Sequence, residues 1–450
     1  MSSKANIICN FFRLNSSKST FFSALFLGLL FIISTGCSVF ESNNRNERDS
    51  LPQIQAPENL FTVPGQMITS DLVRSIQLHR TGNPTSPPII EMDGNQRLLL
   101  TFEMLEFDSR QFRISFTHHN PDWSRSPIPP EFYIDGMHTH FLDGGQVSQQ
   151  RPQYRQYTFR FPNNQLDFRR SGNYMMRVED QDTGYLVFTL PFFVTENRGS
   201  IRSSVDVITT PRRNFRISHR PVSRFRLPDF VDQPQFDLEF YYVQNQFWGK
   251  SREADELDFS DPIEVQFELR HENSFIGDYE FLELSLDELS QNNPQVFEAA
   301  PHEVPPRLVL MDDISGFSST GRMTPSTRYG KPNLSLNGRY ANVVFRFEPG
   351  TEIEDDQDIY LVGDFNNWSI RSRQRLEHNP EIDRWETSTI IKEGLYNYKY
   401  VLMENGDIDD LYFDDLFLRT PQEYHALVYM RDPQRFYYRL LQVNHFYSDS

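Results

Sequence analysis

From Ile76 onward, apolar and polar residues alternate with a period of two, in short runs separated by turn residues. This pattern narrows the fold more than any other feature of the chain. Phe112, Ile114 and Phe116 fall on one face of an extended run, as do Tyr157, Phe159 and Phe161. Similar runs recur at 185–190, 236–241, 263–269 and 340–347. Asp93-Gly94-Asn95, Asp143-Gly144-Gly145, Pro162-Asn163-Asn164 and Ser171-Gly172-Asn173 punctuate them. Short strands with regular turns predict β-sandwiches. The 39 Phe and 20 Tyr suit a pleated surface, and 28 Pro disfavour long helices. Since single cores span roughly 100–200 residues, 450 residues predict about three of them. The expected fold class is all-β, with three consecutive immunoglobulin-like or early-set sandwiches.

The N-terminus has a different physics. Lys4, Arg13 and Lys18 precede an apolar run from Phe21 to Ile33, and residues 1–36 contain no acid. That run is shorter than the ~20 apolar residues a spanning helix needs, and it reads as the core of a secretory signal peptide. Small residues Ser34-Thr35-Gly36 lead into Cys37. They resemble the lipobox of bacterial lipoproteins, which implies cleavage before Cys37 and its lipidation, with the membrane reached through a lipid anchor. Cys9 would be discarded, leaving no thiol for a disulfide or a metal. The polar, non-periodic stretch that follows reads as a tether. The expected organisation is a lipoprotein signal peptide over 1–36, lipidated Cys37 and tether over 37–70, and a first sandwich over 71–197. A middle β domain follows over 198–332, and an early-set sandwich over 333–450.

Charge excludes one class of partner. Removing the three cations of residues 1–36 takes the formal charge from −18 to −21. So negative a balance repels phosphate backbones, and no nucleic acid is expected as a partner. Against it stand Arg198, Arg202, Arg212, Arg213, Arg216, Arg220, Arg224 and Arg226. They are either a stripe that docks on an acidic partner or strand residues whose stems cover apolar surface, and the second reading is preferred. Acids cluster over 352–358 and at Asp407, Asp409, Asp410, Asp414 and Asp415. With no calcium-loop spacing, they read as a solvated rim.

Residues 75–180 carry a run of motifs that recur together. Ser75-Ile76-Gln77-Leu78 and Gly82-Asn83-Pro84 precede Leu98-Leu99-Leu100-Thr101-Phe102-Glu103. Then come Thr117-His118-His119-Asn120-Pro121-Asp122-Trp123, Tyr133-Ile134-Asp135-Gly136-Met137 and Ser171-Gly172-Asn173-Tyr174. In order and spacing they resemble the first domain of the plug proteins of the type IX secretion system, in which a Cys usually stands at the position of His119. The resemblance implies a non-enzymatic periplasmic protein on the outer membrane. Its implied partner is the outer-membrane translocon barrel, whose pore it would seal when idle.

The third block has its own signature, Gly363-Asp364-Phe365-Asn366-Asn367-Trp368 followed by Gly394-Leu395-Tyr396-Asn397-Tyr398-Lys399-Tyr400. It resembles early-set glycogen-binding modules, which implies glycan contact through Trp368, Asn367 and Lys399. The hairpin from Met403 to Asp410, where such modules carry a second stacking Trp, has no aromatic. The alternatives are a glycan-binding envelope lipoprotein and a motif that serves as a sandwich corner.

No nucleophile elbow, phosphate loop or dinucleotide fingerprint occurs, so neither an enzyme nor a cofactor is expected. His118-His119 and His138-Thr139-His140 lack the spacing that would fix further ligands, and no metal site is expected from them.

Overall fold

The computed structural model describes residues 61–209, 217–277, 279, 281–315, 331–333, 335–414, 421–434 and 436–449. The expected signal peptide, Cys9, Cys37 and tether residues up to 60 lie outside them, as do Arg212, Arg213, Arg216 and Asp415. All the described residues lie in one compact unit. They form an all-β structure in which three pairs of sheets each enclose a core. No helix among the described residues is long and apolar enough to cross a membrane.

The first sandwich sets strands Val73–Arg80, Leu98–Met104, Arg155–Phe161 and Gln146–Val147 against a second sheet. That sheet runs Ile89–Glu91, Leu186–Thr195, Gly172–Asp180, Phe112–His119 and Thr139–Leu142. The alternation expected at Phe112, Ile114 and Phe116 is seen directly, because all three are buried while their neighbours are half-exposed. Phe102 stacks on Tyr157, with ring centroids 5.2 Å apart, and Phe112 meets the same Tyr157 ring edge-on at 4.8 Å. Such aromatic pairs add to simple area burial.

The middle sandwich pairs Ser200–Thr209, Ile217–Arg226, Glu264–Glu268 and Glu256–Asp258 in one sheet. Its other sheet is Arg252–Glu253, Leu238–Gln244, Glu423–Arg431 and Tyr438–Tyr447. The third sandwich uses Gly394–Glu404, Gln357–Gly363 and Leu282–Ser285 on one side. On the other side lie Val296–Ala300, Arg307–Leu310, Tyr340–Glu348 and Arg384–Lys392.

These pairings correct the expected boundaries at 198–332 and 333–450. Residues 282–314 belong to the third sandwich, and the chain returns from it at 423–447 to complete the middle one. Leu238 pairs with Met430 and Gln244 with Tyr424, nearly two hundred positions along the chain. The physical reason is that a strand pairs with whatever sheet edge is open. The entropy of closing a long loop grows only logarithmically with its length, so distance along the chain is a weak obstacle.

The tether expected over 37–70 does not include residues 61–70. Phe61 and Val63 are buried, and Thr69 N–H donates to the Val187 carbonyl at 3.0 Å. Residues 61–70 are thus stitched to the strand Leu186–Thr195 and to the seams between sandwiches.

Candidate functional site

The three sandwiches meet along seams, and the seams hold the residues that sequence reasoning singled out. The corner Gly363–Trp368 is a short 3-10 turn. Asn366 accepts from the Gly363 N–H at 2.9 Å and donates to the Leu361 carbonyl at 3.1 Å. Asp364 accepts from the Trp368 indole at 3.0 Å and from the Asn397 N–H at 2.7 Å. A Cβ at Gly363 would come within 2.7 Å of the Asn397 carbonyl oxygen, so only glycine lets the two strands approach. Asn367 and Trp368 both adopt left-handed backbone, with φ of 52° and 58°. That conformation is unfavourable for Trp, and the surrounding bonds and packing must hold it.

Trp368 faces protein and not solvent. It is 1% exposed, and its ring packs among Phe61, Phe247 and Phe281 with centroids 5.1–5.5 Å away. Asn367 donates its side-chain amide to the Ile76 carbonyl of the first sandwich at 3.1 Å. Lys399 is buried, ion-paired to Asp414 at 2.7 Å, and lies 4.0 Å over the Tyr279 ring. The three residues expected to contact a glycan are therefore brought to one seam, where the rest of the chain covers Trp368 and Lys399 and leaves Asn367 half-buried. The motif serves as a corner that anchors the third sandwich to the other two.

The same seam corrects the solvated-rim reading of Asp410 and Asp414, which are both buried. Lys250 reaches Asp410, as does the Tyr279 hydroxyl, and Lys250 also lies 5.0 Å over the Phe61 ring. Burial raises the Asp410 pKa, but Lys250 and Lys399 outweigh it and hold the carboxyl below its usual value. Asp407, Asp409, Glu352, Glu354, Asp355 and Asp356 are exposed, as a rim would be, and Asp358 is half-buried beside Arg375.

Between the first and third sandwiches lies a second buried ionic node. Glu103 meets the Lys392 ammonium at 2.5 Å, the Gln156 amide at 2.8 Å and the Tyr340 hydroxyl. Lys392 also donates to the Ser335 carbonyl at 2.8 Å and lies 4.8 Å over the Tyr154 ring. Burial lowers the Lys392 pKa, and Glu103 opposes that shift. At the edge, Arg371 and Arg373 grip Asp71 at 2.6 and 2.9 Å.

The first and middle sandwiches are joined by Trp123, Met175, Phe193, Trp248, Leu427 and Tyr429. Tyr429 donates to the Asn173 side chain at 2.7 Å, and Arg439 forks onto Glu196. Strand Glu423–Arg431 is consequently buried on both faces, unlike an ordinary half-exposed antiparallel strand. Where the three sandwiches converge there is a cavity of about 110 Å³, lined in part by Gln77, Pro191, Trp248, Trp368 and Lys392. It is roomy enough for several waters.

The expected histidine pairs do not converge. His118 is bonded by Ser126 Oγ at 2.9 Å and the Ser171 carbonyl at 3.0 Å. Burial pulls its pKa down to about 4, against the effect of that carbonyl. Gly172, with φ of 141°, leaves room for the ring: a Cβ there would come within 2.4 Å of His118 Nε2. His119 points the other way, to the Trp123 carbonyl at 2.6 Å, and His140 bonds the Met137 carbonyl at 2.9 Å. Arg202, Arg220, Arg224 and Arg226 lie on the strands of the middle sandwich, and two of them sit beside acids. Arg202 pairs with Glu264 at 2.7 Å and Arg220 with Asp206 at 2.8 Å, in line with the preferred strand reading.

Residues 73–196 match the family described as "Type 9 secretion system plug protein 1st domain". The matched segment is thus similar to one domain of a secretion-system plug protein. Among solved structures, a hypothetical protein from Parabacteroides merdae ATCC 43184 has the same fold. It aligns with a TM-score of 0.77 over 85% of this chain and 98% of that one, at 21% identity. The C-terminal domain of the Streptococcus agalactiae AgI/II polypeptide BspA aligns over 82% of this chain and 99% of that one. At 7% identity and a TM-score of 0.16 it carries no argument. No match was found among the curated proteins.

Proposed function

We propose, from the premise that residues 73–196 carry the first domain of the type IX secretion plug family, that this protein is a periplasmic plug. It binds the outer-membrane translocon barrel and blocks its pore when no cargo is engaged. The family match is the observation that carries the reading. The geometry supports it in one respect. A stopper must keep its shape against a wide opening, and here three sandwiches are cross-braced by two buried ionic nodes and a returning strand pair. Catalysis plays no part in this role. Cys37 serves as the lipidated anchor, holding the body at the outer membrane on its periplasmic side.

The test is capture of the tagged full-length chain from mildly solubilised outer membranes of a cell that carries the translocon. The barrel subunit is expected to co-purify in near-equal amount. Its absence, with the bait intact and folded, would overturn the proposal.

A further inference from the structure

Glu423 and His425 are two positions apart on strand Glu423–Arg431, so their side chains leave the same face. His445, on strand Tyr438–Tyr447, is the direct cross-strand partner of His425. Opposed residues in an antiparallel pair share a face at close Cβ separation, so backbone register alone converges the three side chains. Their ligand atoms all lie within 4.8 Å of one another. Glu423 Oε1 is 2.9 Å from His445 Nε2 and 3.8 Å from His425 Nε2. A tetrahedral ion with bonds near 2.0–2.2 Å sets its ligands about 3.4 Å apart, between those two distances.

The state of His425 argues that this is more than an ion pair. Its side chain is fully buried, and neither ring nitrogen has a hydrogen-bond partner among the described residues. Buried polar groups are rarely left unpaired, and each such exception calls for a reason. Packing does not supply one. The ring lies against Trp248 at 5.1 Å, a contact Phe would make without burying two orphaned nitrogens. Glu423 is also buried, and it accepts from the Gln246 amide at 2.8 Å, the kind of bond that orients a metal-ligating carboxylate. The His445 side chain is 43% exposed, which gives an ion a way in and leaves one coordination position open to water.

We propose that Glu423, His425 and His445 bind one divalent transition-metal ion of the zinc class. One carboxylate and two neutral imidazoles form a donor set suited to such ions. The ion would give one His425 nitrogen its missing partner and clip together the two strands that return to complete the middle sandwich. Sequence reasoning missed the trio because Glu-x-His and a lone His twenty positions later have no local spacing rule. Only the hairpin register brings them together.

The experiment uses the untagged full-length chain, stripped with chelator and titrated with Zn²⁺ by calorimetry. Co²⁺ then serves as a probe whose visible absorption reports a tetrahedral site. The expected result is one ion per chain, with affinity falling about 100-fold or more in His445→Ala and at least about tenfold in Glu423→Gln. His445→Ala also takes a 2.9 Å partner from the buried Glu423 carboxylate, so melts in chelator first establish that the variant is folded at the titration temperature, separating lost binding from lost folding. His378→Ala, at an exposed histidine elsewhere, should bind as the wild type does. Absence of saturable one-to-one binding, or equal affinity in wild type and His445→Ala, would overturn the proposal.

Discussion

Replacing Lys392 by Met tests whether the buried node between the first and third sandwiches holds them together. The change keeps most of the stem and deletes the charge. Lys392 and Glu103 are 0% and 1% exposed at the side chain, so the abandoned carboxylate has no access to water. Removing one member of a buried pair costs about 3–5 kcal/mol. Glu103 would retain the Tyr340 hydroxyl and the Gln156 amide, which places the expected loss near the lower end, about 3 kcal/mol. At a urea dependence of about 3 kcal/mol per molar, the unfolding midpoint falls by about 1 M. Glu103→Leu alone should cost a similar amount, because it strands the buried ammonium with the Ser335 carbonyl and the Tyr154 ring face but no counter-charge in contact. The double variant Glu103→Leu/Lys392→Met should come within about 1 kcal/mol of the wild type, since an apolar pair of similar volume replaces the ionic one. Tryptophan fluorescence is a suitable readout, because Trp123, Trp248 and Trp368 are all buried at the seams. Single variants that each cost under about 1 kcal/mol, or a double variant costing their sum, would refute the reasoning.

Four further outcomes are expected. Asp313 is buried between the Tyr398 and Tyr400 hydroxyls at 2.9 and 2.8 Å, and burial, partly offset by those donors, raises its pKa to about 6. Its folded pKa lies above the unfolded one, so the native state binds the extra proton and its stabilising contribution is lost as pH rises from about 4 to 6. Melts at both ends of that window should show Asp313→Asn gaining on the wild type by up to about 3 kcal/mol, and a pH-independent difference would contradict this. Trp368→Ala should cost about 3–5 kcal/mol of stability by chemical unfolding, as loss of a fully buried Trp does. The folded wild type should run unretarded in native gels containing amylose, because the ring is covered. Cys37→Ser should abolish incorporation of labelled palmitate and release the protein from the membrane fraction, and equal labelling of both forms would show that the anchor is elsewhere.

The sequence by itself determined the local structure. Period-two alternation marked the strands at 112–119 and 155–161, because one buried face demands it. The motif run from Ser75 to Tyr174 marked the first sandwich and its family. Arg202, Arg220, Arg224 and Arg226 were legible as strand residues for the same reason. What lay beyond the sequence was which strands would find each other. Strand Glu423–Arg431 has an apolar pattern that fits either sandwich, and only the open edge at Leu238–Gln244 decides where it goes. Trp368 and Lys399 have the residue types of a binding platform, yet whether an aromatic face meets a sugar or Phe247 depends on domain packing. Glu423, His425 and His445 became a cluster through register alone. Hydrophobic period is a property of neighbouring residues and can be read along the chain. Burial at a seam and convergence of side chains are properties of pairs far apart in sequence, fixed only when the sheets close.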